Sequence, residues 1–260
     1  MLTETERQLV ADTILAAEDS RKVCPQPSKT WPEMTLEDAY DVQRRWADAR
    51  TRRGAKIIGR KIGLTSRAMQ QASKMTEPDY GVMLDDALYR DGARIAAGTF
   101  IKPRLEVELA FVMGQDLQGA GCQIHDVLRA TEFVTPALEI IDYRTEVPRQ
   151  IVDTIADNAA FGATVLGGRT IRPFDVDLRW VGATLSQNGT IEETGLAAGI
   201  MGHPAAGLAW LVNKLSAQGD GLKKGDIVLG GSFTRPVDIR SGDVIHADYG
   251  PLGGIGVSFA

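Results

Sequence analysis

The run Pro103-Arg104-Leu105-Glu106-Val107-Glu108-Leu109-Ala110-Phe111 alternates apolar and polar residues. A period of two marks a β-strand, in which successive side chains point to opposite faces. Leu105, Val107 and Leu109 then share one face, and Glu106 and Glu108 project together from the other. A second strand-like run, Pro136-Ala137-Leu138-Glu139-Ile140-Ile141-Asp142, carries a further glutamate among apolar neighbours. An ionised carboxylate in apolar surroundings is costly unless it is paired or bound to a cation. Two acids on one strand face and a third from another strand suit a hard divalent cation that takes oxygen ligands. The same alternation also describes a strand with one solvated face, so the pattern by itself leaves both readings open.

A chain of 260 residues can bury one large core, or a core with a small lobe beside it. Its net charge of −5 gives no reason to expect nucleic acid or an anionic membrane as a partner. No apolar run is long enough to span a bilayer. The stretch Met1 to Arg7 is charged and lacks the basic-then-apolar order of a signal peptide. Cys24 and Cys122 offer neither a disulfide framework nor zinc spacing. The expectation is a cytoplasmic protein with reduced thiols.

Thr3 and Glu6 have the spacing of a capping box and open a helix that runs to about Asp19. Pro25, Pro27 and Pro32 make residues 20–34 a loop. Thr35, with Asp38 three residues on, opens a second helix with a buried stripe of Ala39, Val42, Trp46 and Ala49. Gly54 stops it. Residues 1–55 are therefore expected to form a small helical lobe, and residues 56–260 a β-rich domain. Within the latter, strands are expected at 55–64, 82–90, 93–96, 104–113, 137–142, 160–166 and 179–187. Short helices are expected at 67–73 and 125–132, and a helical turn at 153–158. Asn188-Gly189 is the strongest hairpin signal in the chain. Residues 203–218 read as a helix with Leu208, Leu211, Val212 and Leu215 as its stripe, and glycine-rich turns punctuate β-structure thereafter. Many short strands with few helices predict an α+β protein whose mixed sheet curls into a roll or barrel.

Several runs are familiar in their order: Gly59-Arg60-Lys61-Ile62-Gly63-Leu64-Thr65-Ser66, Glu77-Pro78-Asp79-Tyr80-Gly81, the Glu106/Glu108 strand, the run from Pro136 to Asp142, and Gly230-Gly231-Ser232-Phe233-Thr234. So are Glu193-Thr194-Gly195-Leu196-Ala197-Ala198-Gly199 and Ala247-Asp248-Tyr249-Gly250-Pro251-Leu252-Gly253. Together they resemble the hydratase/decarboxylase branch of the fumarylacetoacetate hydrolase superfamily, over nearly the whole chain. The resemblance implies a mixed β-roll catalytic domain behind N-terminal helices, and Mg²⁺ or Mn²⁺ held by Glu106, Glu108 and Glu139. It implies a lyase, acting on a 2-hydroxydienoate or its 2-oxo-enoate tautomer, and a homo-oligomer. The seven-carbon diacid 2-oxohept-4-ene-1,7-dioate, hydrated to 4-hydroxy-2-oxoheptanedioate in the breakdown of homoprotocatechuate, is the expected substrate. Hydration of 2-oxopent-4-enoate and decarboxylation of 4-oxalocrotonate are the alternatives. A non-catalytic partner subunit would be expected to lose metal ligands or Lys61, and all four residues are intact.

Such chemistry needs proton carriers. The family motif makes Lys61 and Asp79 the candidates, with the Lys61 pKa drawn down by a pocket and a metal. Outside that motif Lys61 reads as a surface lysine beside Lys56 and Arg60, and Asp79 as a turn residue after Pro78. Thr65, Ser66 and Arg67 lie where a strand meets a helix start, a place for anion contact or for simple capping. Ser232 and Thr234 follow two glycines, which suits close approach to a ligand or a turn. Arg67 and Arg235 are candidates for gripping the second carboxylate of a diacid. His125, His203 and His246 fall in no stretch matching the hydrolase motif, which argues against C–C bond hydrolysis. Gly-x-Ser-x-Gly is absent.

Overall fold

The computed structural model describes residues 1–96 and 98–260. The chain opens with helices α1 (Glu4–Ser20), α2 (Pro27–Thr30) and α3 (Leu36–Arg52). It continues through β1 (Ile57–Gly63), α4 (Arg67–Ala72), β2 (Asp79–Leu84), β3 (Leu88–Arg90), β4 (Ala93–Ile95), β5 (Arg104–Met113), α5 (Ile124–Ala130), β6 (Thr131–Ile141) and α6 (Ile151–Ala156). Then come β7 (Phe161–Leu166), β8 (Gly182–Gln187), β9 (Thr190–Leu196), α7 (Ala205–Ser216), β10 (Ile227–Leu229), β11 (Val237–Asp238), β12 (Val244–Asp248) and β13 (Gly254–Phe259).

Thr3 and Thr35 close the capping boxes that their spacing predicts, each side chain accepting from the backbone N–H three residues on while Glu6 and Asp38 reach back. α2 is a single turn inside the stretch expected to be loop. Pro27 sits at its start, where a missing N–H leaves nothing unsatisfied. α3 packs on α1 and on α6. The buried core runs without a break from Leu2, Val10 and Trp46 in the helices to Val107, Leu138 and Phe259 in the strands.

The strands form two mixed sheets. The eight-stranded sheet has the order β2-β1-β10-β5-β6-β7-β3, with β11 also pairing β5. The five-stranded sheet has the order β4-β13-β12-β8-β9. β1 with β10, β3 with β7, and β4 with β13 are parallel; the other pairs are antiparallel. This is the α+β roll the strand pattern predicts, but the large sheet ends in the edges β2 and β3, so it does not close into a barrel.

β5 lies in the middle of the large sheet, and both of its faces are covered. Leu105, Val107 and Leu109 are fully buried on one face and Ala110 on the other, where Glu108 is 1% exposed. The solvated-face reading of the Glu-x-Glu alternation therefore does not hold. β6 begins at Thr131, well before the run expected from sequence, because α5 leads straight into it. Pro136 is tolerated within this central strand for a local reason. Just past the last regular pair with β7, Ala137 opposite Leu166, Gly167 N–H still donates to Pro136 O at 3.3 Å, and the Thr135 hydroxyl supplies the Gly167 carbonyl at 2.6 Å where Pro136 has no N–H to give.

Candidate active site

β5 and β6 run antiparallel with Glu106 directly opposite Glu139 and Glu108 opposite Ala137. Alternation puts Glu106 and Glu108 on one face, and the register adds Glu139 to it. The three carboxylates offer oxygens that all lie within 4.8 Å of one another. Glu139 is fully buried and Glu106 is half-buried. Burial pushes the pKa of all three upward, and the neighbouring charge of Glu139 adds to this at Glu106 and Glu108. Glu106 is raised to about 8. Gly231 N–H donates to Glu108 Oε2 at 2.8 Å, but among the described residues Glu139 Oε2 has no partner and Oε1 has only an ammonium ion pair. Buried, like-charged and poorly partnered oxygen donors on a rigid sheet fit a divalent cation, which would turn mutual repulsion into paired charge.

The strands carrying these acids are clamped from behind. The Tyr249 hydroxyl reaches the carbonyl oxygens of both Glu108 and Ala137, at 3.0 and 2.6 Å. The segment 230–234 runs along the other edge of β5. Gly230 N–H donates to Leu109 O and Phe233 N–H to Val107 O, at 3.1 and 3.2 Å. Thr234 Oγ1 accepts from Val107 N–H at 3.1 Å, and the Ser232 hydroxyl bridges to Thr234 O at 2.8 Å. Both hydroxyls are thus engaged in holding the residue between Glu106 and Glu108.

β1, paired with β2, brings Lys61 to the cluster. Lys61 is 5% exposed, so it is no surface lysine. Its Nζ lies 3.1 Å from Glu139 Oε1, an ion pair, and donates to the Ala159 carbonyl at 3.0 Å. Burial pushes the Lys61 pKa down, but Glu139, Asp79, Glu106 and Glu108 outweigh it and hold the ammonium above its usual range. For the protein groups by themselves, the expected lowering of Lys61 is therefore reversed: four acids surround one base.

Asp79 is the β2 partner of Gly63 and leans across it. A Cβ at position 63 would sit 2.2 Å from Asp79 Oδ1 and 3.4 Å from Lys61 Nζ, so only glycine leaves this space. Asp79 Oδ1 has no hydrogen-bond partner among the described residues, and burial raises the Asp79 pKa against the pull of Lys61 and Arg149. The carbonyl that receives Lys61 comes from a left-handed run, Asn158, Ala159 and Ala160, with φ of 50°, 50° and 60°. Such residues cost about 1–3 kcal/mol each and persist only where the surroundings enforce them. Here the Asn158 side chain exchanges two hydrogen bonds with the Val82 backbone, at 2.8 and 2.9 Å.

Lys61, Asp79 and Glu106 open onto a cavity of about 730 Å³ whose further walls include Met69, Tyr143 and Arg149. Thr65, Ser66 and Arg67 are not part of these walls. Thr65 is buried beside Gly231, where a Cβ would meet Thr65 Oγ1 at 2.3 Å. Ser66 caps α4 by accepting from Met69 N–H at 3.2 Å, and Arg67 is exposed. Arg235 is 85% exposed and tied to Glu193 at 2.7 Å. No histidine lines the cavity among the described residues: His125 and His246 are exposed, and His203 Nδ1 accepts from Ala205 N–H. Sequence reasoning missed Asn158, Tyr143, Arg149 and the Tyr249 clamp. Gly63, Gly231 and Tyr249 do stand inside the recognised motifs, but nothing in the sequence tells which atoms they face.

Comparison with known proteins matches residues 54–258 to the family described as fumarylacetoacetate (FAA) hydrolase C-terminal. The 2-oxo-hept-4-ene-1,7-dioate hydratase of Escherichia coli is 49% identical, with 100% of each chain covered. The 2-keto-4-pentenoate hydratase of Paraburkholderia xenovorans is 35% identical over 99% of this chain and 96% of its own. Among solved structures, 4-oxalocrotonate decarboxylase from Pseudomonas putida G7, complexed with magnesium and adipate, superimposes with a TM-score of 0.98. It is 34% identical and covers 100% of this chain and 99% of its own.

Proposed function

The chain belongs to the fumarylacetoacetate hydrolase family, and we propose that it is a divalent-metal-dependent hydro-lyase that adds water to 2-oxohept-4-ene-1,7-dioate, giving 4-hydroxy-2-oxoheptanedioate. The observation that carries this reading is the meeting, around one cavity, of the Glu106, Glu108 and Glu139 carboxylates with Lys61 and Asp79. The three glutamates would hold Mg²⁺ or Mn²⁺, in keeping with the magnesium bound by the decarboxylase relative. Bound there, the ion would supply Lewis acidity toward the carboxylate and 2-oxygen of a 2-oxo acid.

The chain's own groups supply the proton transfers. A proton must leave carbon 3 and another must reach carbon 5 to bring the double bond into conjugation with the 2-oxo group. Water oxygen then adds at carbon 4 and a proton returns to carbon 3. Lys61 and Asp79 are the carriers, both facing the space that Gly63 leaves open, and both are shielded from bulk water. Lys61 is held protonated by the acids around it. A cation held by the glutamates would offset the charge that holds Lys61 protonated and leave burial as the opposing pull on its pKa. The Ala159 carbonyl keeps its Nζ in place.

A second reading, decarboxylation of a related 2-oxo-enedioate, is favoured by the TM-score of 0.98 to the decarboxylase. Exposed Phe174 and Trp180, each 67% accessible, support assembly into a homo-oligomer. No helix among the described residues is long and apolar enough to cross a membrane. The two buried free thiols, Cys24 and Cys122, accord with the cytoplasm. The test of the activity is to strip the protein with a chelator, restore Mg²⁺ or Mn²⁺, and follow loss of the conjugated dienoate. Activity that is lost and restored supports the reading; full activity in the stripped protein refutes it.

A further inference from the structure

We propose that Arg149 receives the second carboxylate of the diacid substrate and thereby sets the preference for seven-carbon diacids over five-carbon monoacids. The inference rests on the hydratase reading above and adds to it the residue that selects substrate length.

Arg149 lines the same cavity as Lys61, Asp79 and Glu106. Its side chain is 11% exposed, and its Nη1 is buried without a hydrogen-bond partner among the described residues. The acid in range is Asp157, whose Oδ2 lies 3.9 Å from Nη1, beyond hydrogen-bond reach. Asp157 is already spent on Arg144: its Oδ1 accepts from Arg144 Nε and its Oδ2 from the Arg144 backbone N–H. The Tyr143 ring lies under the guanidinium, with Cζ 3.5 Å from the ring centroid, and so orients its plane.

Other arginines that could take this task are occupied elsewhere. Arg104 is paired with Asp238 at 2.8 Å, Arg235 with Glu193, and Arg144 with Asp157. Arg149 is therefore a largely buried guanidinium that lines the cavity of Lys61 and Asp79 and carries a donor that no described residue takes. Burying a cation without hydrogen-bonded compensation is costly. A carboxylate supplies that compensation, because it matches a guanidinium through two parallel hydrogen bonds. A diacid whose 2-oxo-acid end lies at the glutamates has a second carboxylate to place, and a monoacid has none.

The test compares kcat/KM for the seven-carbon diacid and for the five-carbon monoacid in the metal-loaded wild type, Arg149→Met and Arg149→Lys. Arg149→Met should lower the diacid value roughly 10- to 150-fold, chiefly through KM, the scale of one charge-assisted contact. The monoacid should lose far less, and Arg149→Lys should recover part of the diacid loss. Calorimetry with adipate and hexanoate reads the same contact without turnover: the advantage of adipate should vanish in Arg149→Met. Equal losses on both substrates would make Arg149 merely structural and overturn the proposal. A diacid preference that survives Arg149→Met, or that falls instead in Lys74→Met at the cavity rim, overturns it while leaving the hydratase reading intact. A wild type that prefers the monoacid overturns the seven-carbon reading, and the proposal with it.

Discussion

Glu106 and Glu139 are direct cross-strand partners at the centre of the large sheet. Like charges facing each other on adjacent strands are destabilising even at a surface, and this pair is joined by Glu108 in a setting that pushes all three pKa values upward. The arrangement makes physical sense as half of a site whose other half is a cation. The central position of β5 and β6, and the Tyr249 hydroxyl on the backbone of both, make that half rigid.

Metal binding should expel protons. Burial raises the carboxyls of all three glutamates when only protein groups surround them, Glu106 to about 8, so protons compete with metal for the site. The sign follows: affinity rises as pH rises and levels off only once all three raised carboxyls are ionised. Calorimetry of Mn²⁺ binding in buffers of different ionisation enthalpy measures the released protons. Glu106→Gln, Glu108→Gln and Glu139→Gln should each weaken binding. Wild-type affinity in all three variants would be incompatible with the assignment.

Lys61→Ala should cut turnover by a factor of about 10² or more, the scale of losing a positioned acid or base. Metal affinity should survive, because Lys61 is not a ligand. The two readouts separate proton transfer from assembly of the centre. Near-normal turnover would remove Lys61 from the chemistry.

Gly63→Ala places a Cβ at 2.2 Å from Asp79 Oδ1, so the carboxylate must move from its present place. A displacement of about 1 Å at a reacting centre can cost as much as ~10² in rate. The expected outcome is a large fall in kcat with metal affinity largely kept. A kcat within twofold or so of wild type would show that the placement of Asp79 against Gly63 is dispensable.

Much of this site is legible in the sequence, and the limits have physical causes. Strand alternation is local, so the order of residues 103–111 is enough to put Glu106 and Glu108 on one face. The capping boxes at Thr3 and Thr35 and the Asn188-Gly189 hairpin are equally local, and the structure contains them. The register that puts Glu139 opposite Glu106 is a long-range pairing, and only the family motif points to it. Hydroxyl partners are harder still. Ser232 and Thr234 look like ligand contacts after two glycines, yet they brace Val107. Arg149 carries no periodic signal, because it lies in the irregular segment between β6 and α6 and reaches the cavity through tertiary packing.

The turn that presents Ala159 to Lys61 depends on a buried pair. Arg144 donates to Asp157, to the Asp157 carbonyl at 2.8 Å and to the Phe161 carbonyl at 3.0 Å. Arg144→Leu would strand a fully buried Asp157, which typically costs about 3–5 kcal/mol. Urea unfolding of the variant checks this. A loss below about 1 kcal/mol would mean that the pair contributes little to stability, as exposed pairs do.

The central claim is hydration at a three-carboxylate metal centre, and the identity of the product tests it most directly. The protein, loaded with Mg²⁺, is supplied with 2-hydroxyhepta-2,4-dienedioate, and the product is read by mass spectrometry alongside a measurement of released CO₂. The expected product is heavier by one water, 4-hydroxy-2-oxoheptanedioate, with no CO₂ evolved. A product lighter by CO₂, or unchanged substrate in the metal-loaded protein, would contradict it.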